Sequence, residues 1–230
     1  QRSKTVNPPD INREFSMHWQ RVIRIWLAMV LTAMASLAAA ENDPRQVVME
    51  AVERMTSRIE AEREQLETNP DRARELVREE LGDLVDFKRI TRMVMGDYFG
   101  PSSKEQKYRF LDVFKNSLIN TYASGITLYE GQKITTLPMQ EGDRKGDYAR
   151  VRMEVKTNSG KTVPIYYTLF QRDDQWRVIN VYVNGLDLRD TFQSQFAQGM
   201  QQYNDIDKVI DNWSADAKID AGIEGEDQKS

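Results

Sequence analysis

From residue 45 onward, apolar positions recur at helical spacing between short breaks. Val48, Val52, Met55, Ile59 and Leu66 fall on one stripe of Arg45–Leu66, surrounded by Glu and Arg. Asn69-Pro70 ends that segment, because the residue before a proline avoids the α region. The stripe also has the spacing of a short heptad, but Glu62 interrupts the seam, so a solvated amphipathic helix is expected rather than a coiled coil. Ala73, Leu76, Val77 and Leu81 repeat the pattern over Asp71–Leu81, and Asp86 is placed to cap a third helix carrying Phe87, Ile90 and Val94 before Gly96. Gly100-Pro101 breaks the chain again. Ser102 and Glu105 have capping-box spacing and open a helix striped by Tyr108, Leu111, Phe114, Leu118 and Tyr122.

After Gly125 the period changes to two. Ala149, Val151, Met153 and Val155 alternate with charged or polar neighbours, which predicts a strand with one dry and one wet face. Thr157-Asn158-Ser159-Gly160 is turn chemistry. Folding the chain there sets Val155 opposite Val163, Met153 opposite Ile165, Val151 opposite Tyr167 and Ala149 opposite Leu169. A further strand, Trp176–Val183, follows an Asp173-Asp174 turn and is apolar on both faces. An earlier one over Lys133–Met139 carries Pro138, which suits an edge. From Asp190 a last helix bears Phe192, Phe196, Met200, Tyr203, Ile206, Ile210 and Trp213. Helices, then an antiparallel meander, then a closing helix predict an α+β domain: a curved antiparallel sheet wrapped by helices.

Composition narrows the chemistry. The 230 residues are 40% apolar and 30% charged, enough for one good core, and no internal repeat or linker divides them. Gln1–Ser16 is polar and aperiodic and reads as upstream or vector-derived sequence. From Met17 a basic start with Arg21 and Arg24 leads into the apolar run Ile25–Ala35 and the small residues Ser36–Ala40, the layout of a signal peptide over 17–40. The uncharged stretch to Ala40 is shorter than the ~20 residues of a spanning helix. A single domain is expected over 41–213, with a loose acidic tail over 214–230. There is no Cys and the sole His is His18, so the exported protein has no thiol or imidazole nucleophile, no Cys/His zinc site and no disulfide. Residues 1–40 hold Arg2, Lys4, Arg13, Arg21 and Arg24 against Asp10 and Glu14, so their removal shifts the net charge from −4 to −7. An acidic body of that kind is a poor nucleic-acid binder.

No motif announces catalysis. Gly160-Lys161-Thr162 lacks the first glycine of a phosphate loop, since position 155 is Val, and reads as a hairpin turn. Asn212-Trp213-Ser214 matches a glycosylation triplet that is frequent by chance. Arg72, Arg74, Arg78, Lys88, Arg89 and Arg92 are interleaved with acids, as on a solvated face. Asp97 beside Tyr98, and Glu130 beside Tyr129, are the best acid–phenol neighbours, and they would matter only inside an apolar cleft. What remains is an excess of apolar faces, either packed on one another or lining a cavity. Periodicity alone does not separate the two.

Two stretches carry a resemblance. Asp86-Phe87-Lys88-Arg89-Ile90 leading to Gly96 and Tyr98, and Trp176-Arg177-Val178 through Val181, Gly185-Leu186 and Leu188 to Phe196, resemble the MlaC family in order and spacing, with a signal peptide ahead. Those proteins are periplasmic phospholipid-binding components of the Mla lipid-transport system, also known as toluene-tolerance auxiliary proteins. The likeness runs from about Arg45 to Trp213; Asn180, Asp187 and Gln193 depart from the family's usual acid, Ser and Arg. It implies an NTF2-like or cystatin-like fold, a non-enzymatic carrier without cofactor, and phospholipid as cargo. The implied partners are an inner-membrane ABC transporter complex with an MCE-type lipid-binding subunit and an outer-membrane lipoprotein–porin complex. The expected lipid-binding wall is Phe110, Phe114, Val151, Met153, Val155, Val163, Ile165, Tyr167, Leu169, Val181 and Val183. Two rivals stand beside it: an NTF2-like enzyme using a buried carboxylate and a Tyr, and an exported chaperone or peptide-binding module with an open groove or sheet edge.

Overall fold

The computed structural model of the chain describes residues 43–215. The expectations for residues 1–40 and for the tail beyond Ala215 lie outside the described residues. Helix α1 (Pro44–Ala61) opens on a proline, whose missing N–H costs nothing at that position, and buries Val48, Ala51 and Ile59. The single expected helix to Leu66 is two: the chain kinks at Glu62, and α2 (Arg63–Thr68) follows. Glu62 turns away to receive Arg72 at 2.6 Å, while Arg58 joins Glu79 and Glu80 at 2.7 and 2.9 Å. Arg58 and Arg72 are thus spent on ion pairs that tie these helical segments together.

Asn69 caps α3 (Pro70–Leu84) by accepting from the backbone of Asp71 and Arg72, and Asp86 caps α4 (Phe87–Met95) by accepting from Arg89 N. Between them, Val85 bridges to Val178 and Asp86 N donates to Val178 O at 3.0 Å, which pins the helix junction to the sheet. Gly96 ends α4 at φ +51°, and a Cβ there would stand 2.9 Å from Gln193 Nε2. After a short 3₁₀ turn, α5 (Lys104–Ile126) starts on a complete capping box formed by Ser103 and Gln106. Ser102, the expected cap, donates instead to Tyr98 O at 2.5 Å. The buried stripe of α5 is Phe110, Phe114, Leu118, Ile119, Ala123 and Ile126, and Tyr108 faces solvent.

The strands are β1 (Lys133–Thr136), β2 (Arg144–Lys145), β3 (Tyr148–Lys156), β4 (Thr162–Arg172), β5 (Gln175–Val183) and β6 (Leu186–Asp187), all antiparallel in the order β1-β3-β4-β5-β6, with β2 also pairing β3. The register expected across β3 and β4 is the one found, pair for pair. Asp173 and Asp174 both have positive φ and turn β4 into β5; Asn184 and Gly185 do the same for β5 and β6, a strand the sequence reading missed. A bulge shifts the β4–β5 register between Thr168 and Leu169. The extra residue, Ile179, explains why it and Val178 are buried side by side, while Asn180 is covered by the start of the next helix, donating to Asp187 at 2.9 Å and accepting from Arg189 N at 3.2 Å.

The closing helix is also two. Asp187 caps α6 (Leu188–Tyr203), Asn204 leaves it in the left-handed region at φ +46°, and Asp205 caps α7 (Ile206–Asp211). The packed chain extends past 213, because Ala215 is buried and its N–H donates to Ser117 Oγ at 2.6 Å. Gly160 lies in the β3–β4 hairpin at φ +84°, so Gly160-Lys161-Thr162 is turn and not phosphate loop.

The core is divided. One cluster joins α4, α5, α6 and α7 through edge-packed rings, Phe110 on Trp213 at 5.0 Å and Phe114 on Phe192 at 5.5 Å. A second joins α1, α2, α3 and α5 around Leu76 and Ile119. In the third, Val48 of α1 covers Val151, Leu169, Trp176 and Val178 of the sheet, and the fourth is Met153, Val155 and Ile165 at the sheet's other end.

Candidate functional site

These four clusters do not merge because a cavity of about 860 Å³ lies among them. Its helical side is Val77, Leu81, Leu84 and Val85 from α3 and the junction after it, Phe87 and Ile90 from α4, and Phe114, Leu118, Tyr122 and Ile126 from α5. Its sheet side is Val155, Ile165 and Tyr167 with Val178 to Val183 of β5, closed by Leu188 and Phe192 of α6. Thr121, Gly125 and Leu128 line it and are exposed, while Val77, Phe114, Val178 and Ile179 line it and are buried. The cavity therefore runs from a rim at the end of α5 to a floor against α3 and β5.

The expected wall divides. Phe114, Val155, Ile165, Tyr167, Val181 and Val183 border the cavity. Phe110, Val151, Met153, Val163 and Leu169 do not, and each has a packing reason. Phe110 is taken up by Phe196 at 4.8 Å and by Trp213. Val151 and Leu169 lie under α1, and Met153 packs with Val155, Ile165 and Val52. Val163 is fully buried at the sheet end, opposite Val155. Helix α1 thus covers the β3 side of the inner face, and the cavity keeps the β4–β5 side. About half of the lining residues the sequence reading missed come from α3, α4 and α5. Their helical stripes were visible, but a stripe facing a cavity has the same period as one facing other side chains.

Chemically the lining is apolar, with few polar groups. Thr121, Gln132, Asn180, Arg189 and the phenols of Tyr122, Tyr129 and Tyr167 are the polar members, and among the described residues none of the lining is Asp, Glu, His or Cys. Burial pushes Tyr122 up to about 12; burial and the neighbouring Tyr122 push Tyr167 up as well. Both stay protonated donors at any ordinary pH. Arg189 is held by Asp190 at 2.7 Å, and Asp187 receives Asn180 Nδ2 at 2.9 Å beside it. Among the described residues no group of His, Cys, Asp or Glu is placed to hold a metal ion, and no helix is long and apolar enough to cross a membrane. Of the acid–phenol neighbours, Tyr129 reaches the rim, but Glu130 turns out to Asn158 at 2.7 Å, and Tyr98 packs on Phe196.

Were it sealed and empty, a void this size would cost on the order of 20 kcal/mol at about 24 cal/mol per Å³. That exceeds the net stability of an ordinary domain, about 5–15 kcal/mol. Water fills such a space poorly, because an apolar wall offers it too few hydrogen-bonding partners. Fold and site together therefore define a binding protein for a large apolar ligand, built from a curved antiparallel sheet and the helices that wrap it.

The chain belongs to the MlaC protein family, whose pattern it matches over residues 49–215. It is 34% identical to the toluene tolerance protein ttg2D of Pseudomonas putida over 197 residues, covering 85% of this chain and 91% of that protein. It is 26% identical to the intermembrane phospholipid transport system binding protein MlaC of Haemophilus influenzae over 191 residues, 80% of this chain and 87% of the relative. Among solved structures, a phospholipid-binding protein from Ralstonia solanacearum in complex with a phospholipid superposes with a TM-score of 0.68 at 25% identity, covering 74% of this chain and 93% of that one.

Proposed function

We propose that this protein is a phospholipid carrier: the acyl chains occupy the cavity, the headgroup stays wet at the rim by Leu128, and the loaded protein crosses an aqueous compartment between two membranes. The observation that carries the reading is the apolar cavity of about 860 Å³. The phospholipid complex of the Ralstonia relative supports the cargo. Energetics support the need: each CH₂ exposed to water costs ~0.8 kcal/mol, so one long chain carried bare would cost on the order of 10 kcal/mol. Cavity and bilayer are similarly apolar, so transfer between them is close to balanced, and direction comes from partners.

Within this reading the compartment is the periplasm, entered after removal of a signal peptide over residues 17–40. The partners are an inner-membrane ABC transporter complex with an MCE-type subunit and an outer-membrane lipoprotein–porin complex. The carrier does no chemistry and needs no cofactor. Among the described residues the lining offers phenols and no carboxylate or imidazole, and phenols with raised values make poor bases, which supports this over an NTF2-like enzyme.

Organic extraction of purified protein followed by mass spectrometry should release phospholipid in near one-to-one amount. Protein that emerges lipid-free from cells with normal membranes and accepts none from vesicles would contradict the reading. N-terminal sequencing of the periplasmic form should begin at Glu41 or just after Ala38; recovery of Met17–Ala40 in a membrane pellet would defeat the soluble-carrier part of it.

A further inference from the structure

Two phenols face the cavity from its two walls, one of them just inside the rim beside Thr121. Tyr122 reaches in from α5 and Tyr167 from the facing strand β4, and both line the cavity. On the sheet, the Tyr167–Val181 pair lies one step deeper than the Ile165–Val183 pair near the rim, which is about 7 Å along the strand. On the helix, Tyr122 lies two turns above the buried floor residue Phe114 and six residues before the exposed Leu128. The two phenols thus face one cavity from a helix and from the sheet. They are close enough for the charge of one to act on the other.

Neither hydroxyl has a hydrogen-bonding partner among the described residues. Half-buried phenols with no protein partner that open onto the same apolar cavity take their acceptor from whatever fills it, so the pair points to an acceptor that the occupant brings. Among the described residues that line the cavity the cation is Arg189, and its guanidinium is engaged by Asp190 at 2.7 Å and Asp187 at 3.8 Å. A carboxylate at that depth would lack a counter-charge, whereas a neutral carbonyl would not need one.

We infer that Tyr122 and Tyr167 donate hydrogen bonds to the ester carbonyls of a diacyl glycerolipid, making this pair the step at which the cavity distinguishes ester-linked from ether-linked chains. The inference rests on the carrier reading above. With the headgroup at the rim and the tails on the floor, the ester groups are only a few covalent bonds inside the rim, where Tyr122 stands beside exposed Thr121 with Tyr167 within electrostatic reach. Their raised values keep both hydrogens in place as donors. Ether oxygens, lacking the carbonyl, leave both donors unpaired.

The test equilibrates purified protein with vesicles containing equal amounts of a diacyl phosphatidylglycerol and its dialkyl ether analogue of matched chains, then determines the bound lipids by mass spectrometry. The unaltered protein should be enriched in the ester lipid by about tenfold, the discrimination expected of one to two carbonyl hydrogen bonds. Tyr122→Phe and Tyr167→Phe should each lower the ratio. The double variant should bring the ratio, in the lipid it takes up, to the vesicle proportion. Each change removes a single oxygen, and circular dichroism verifies the fold. Equal uptake of both lipids by the unaltered protein, as when the phenols hold only cavity water or each other, overturns the inference. So does a preference that survives in the double variant. Protein that takes up neither lipid overturns the carrier reading and this inference with it, and is told apart because uptake is lost rather than the ratio.

Discussion

Ile165 and Leu169 lie on the same face of β4, four residues apart, yet the structure gives them opposite surroundings. Ile165 borders the cavity, and Leu169 is sealed among Val48, Val151, Trp176 and Val178. Replacing each by Asp compares a cavity wall with a packed core in one strand. The charge penalty has a ceiling at either site: keeping an ordinary Asp protonated at pH 7 costs about 4 kcal/mol, at 1.36 kcal/mol per pH unit. At Leu169 the loss of the packed side chain adds about 2–5 kcal/mol, and the total is comparable to the net stability of the domain. Leu169→Asp should therefore unfold the protein. At Ile165 water can enter from the rim and solvate the carboxylate, so both terms shrink and the fold should stand with a loss of about 2–3 kcal/mol. Lipid cannot share the cavity with that carboxylate without meeting the protonation cost, which lowers affinity by up to about a thousandfold. Circular dichroism melts and lipid content, measured together, read both effects: Ile165→Asp is folded and empty, and Leu169→Asp is unfolded. An Ile165→Asp protein as unfolded as Leu169→Asp would return that residue to the packed core. A folded Ile165→Asp protein still carrying lipid would mean that the chains lie elsewhere.

Three further outcomes follow from local features. Asp187, which burial alone would raise, is brought below its ordinary 3.8 by hydrogen bonds from Tyr182, Asp190 N and Asn180; Glu62 is lowered below 4.5, chiefly by its hydrogen bond from Arg72. A depressed folded value means that the stability each contributes is complete above the ordinary value and is lost as pH falls through the folded one. Melts taken from pH 7 down to pH 2.5 should fall most below pH 4, and Asp187→Asn, which keeps the helix cap but removes the charge, should flatten that slope. Ser103→Ala removes half of the capping box on α5 and should cost about 1 kcal/mol, a drop in Tm of about 2–4 °C. Gly96→Ala forces a Cβ toward Gln193 at φ +51° and should destabilise by more than about 1 kcal/mol in a denaturant titration, with lipid binding retained.

Much of this fold is written locally in the chain. The β3–β4 register follows from a period of two and one turn, because a slip by a single residue would turn the whole apolar face of β3 into water. Asn69, Asp86 and the breaks at Pro70 and Gly96 bound helices through their own caps, which require no distant contact. Where local signals competed, the outcome depended on neighbours. Ser102 and Ser103 are both able to cap, and the choice fell to Ser103 because the Ser102 hydroxyl is taken by Tyr98 O. The long first helix kinks at Glu62, whose carboxylate is drawn to Arg72 ten residues away. The cavity was beyond the sequence for a more general reason. Periodicity reports which side chains leave water and is silent about what replaces it. Phe110 and Phe114 share a stripe, as do Leu169 and Ile165, and only the placement of α1 and of Trp213 decides which member of each pair meets another side chain and which faces open space. That placement is set by helix-to-sheet packing over more than a hundred residues of chain, and no window of sequence contains it.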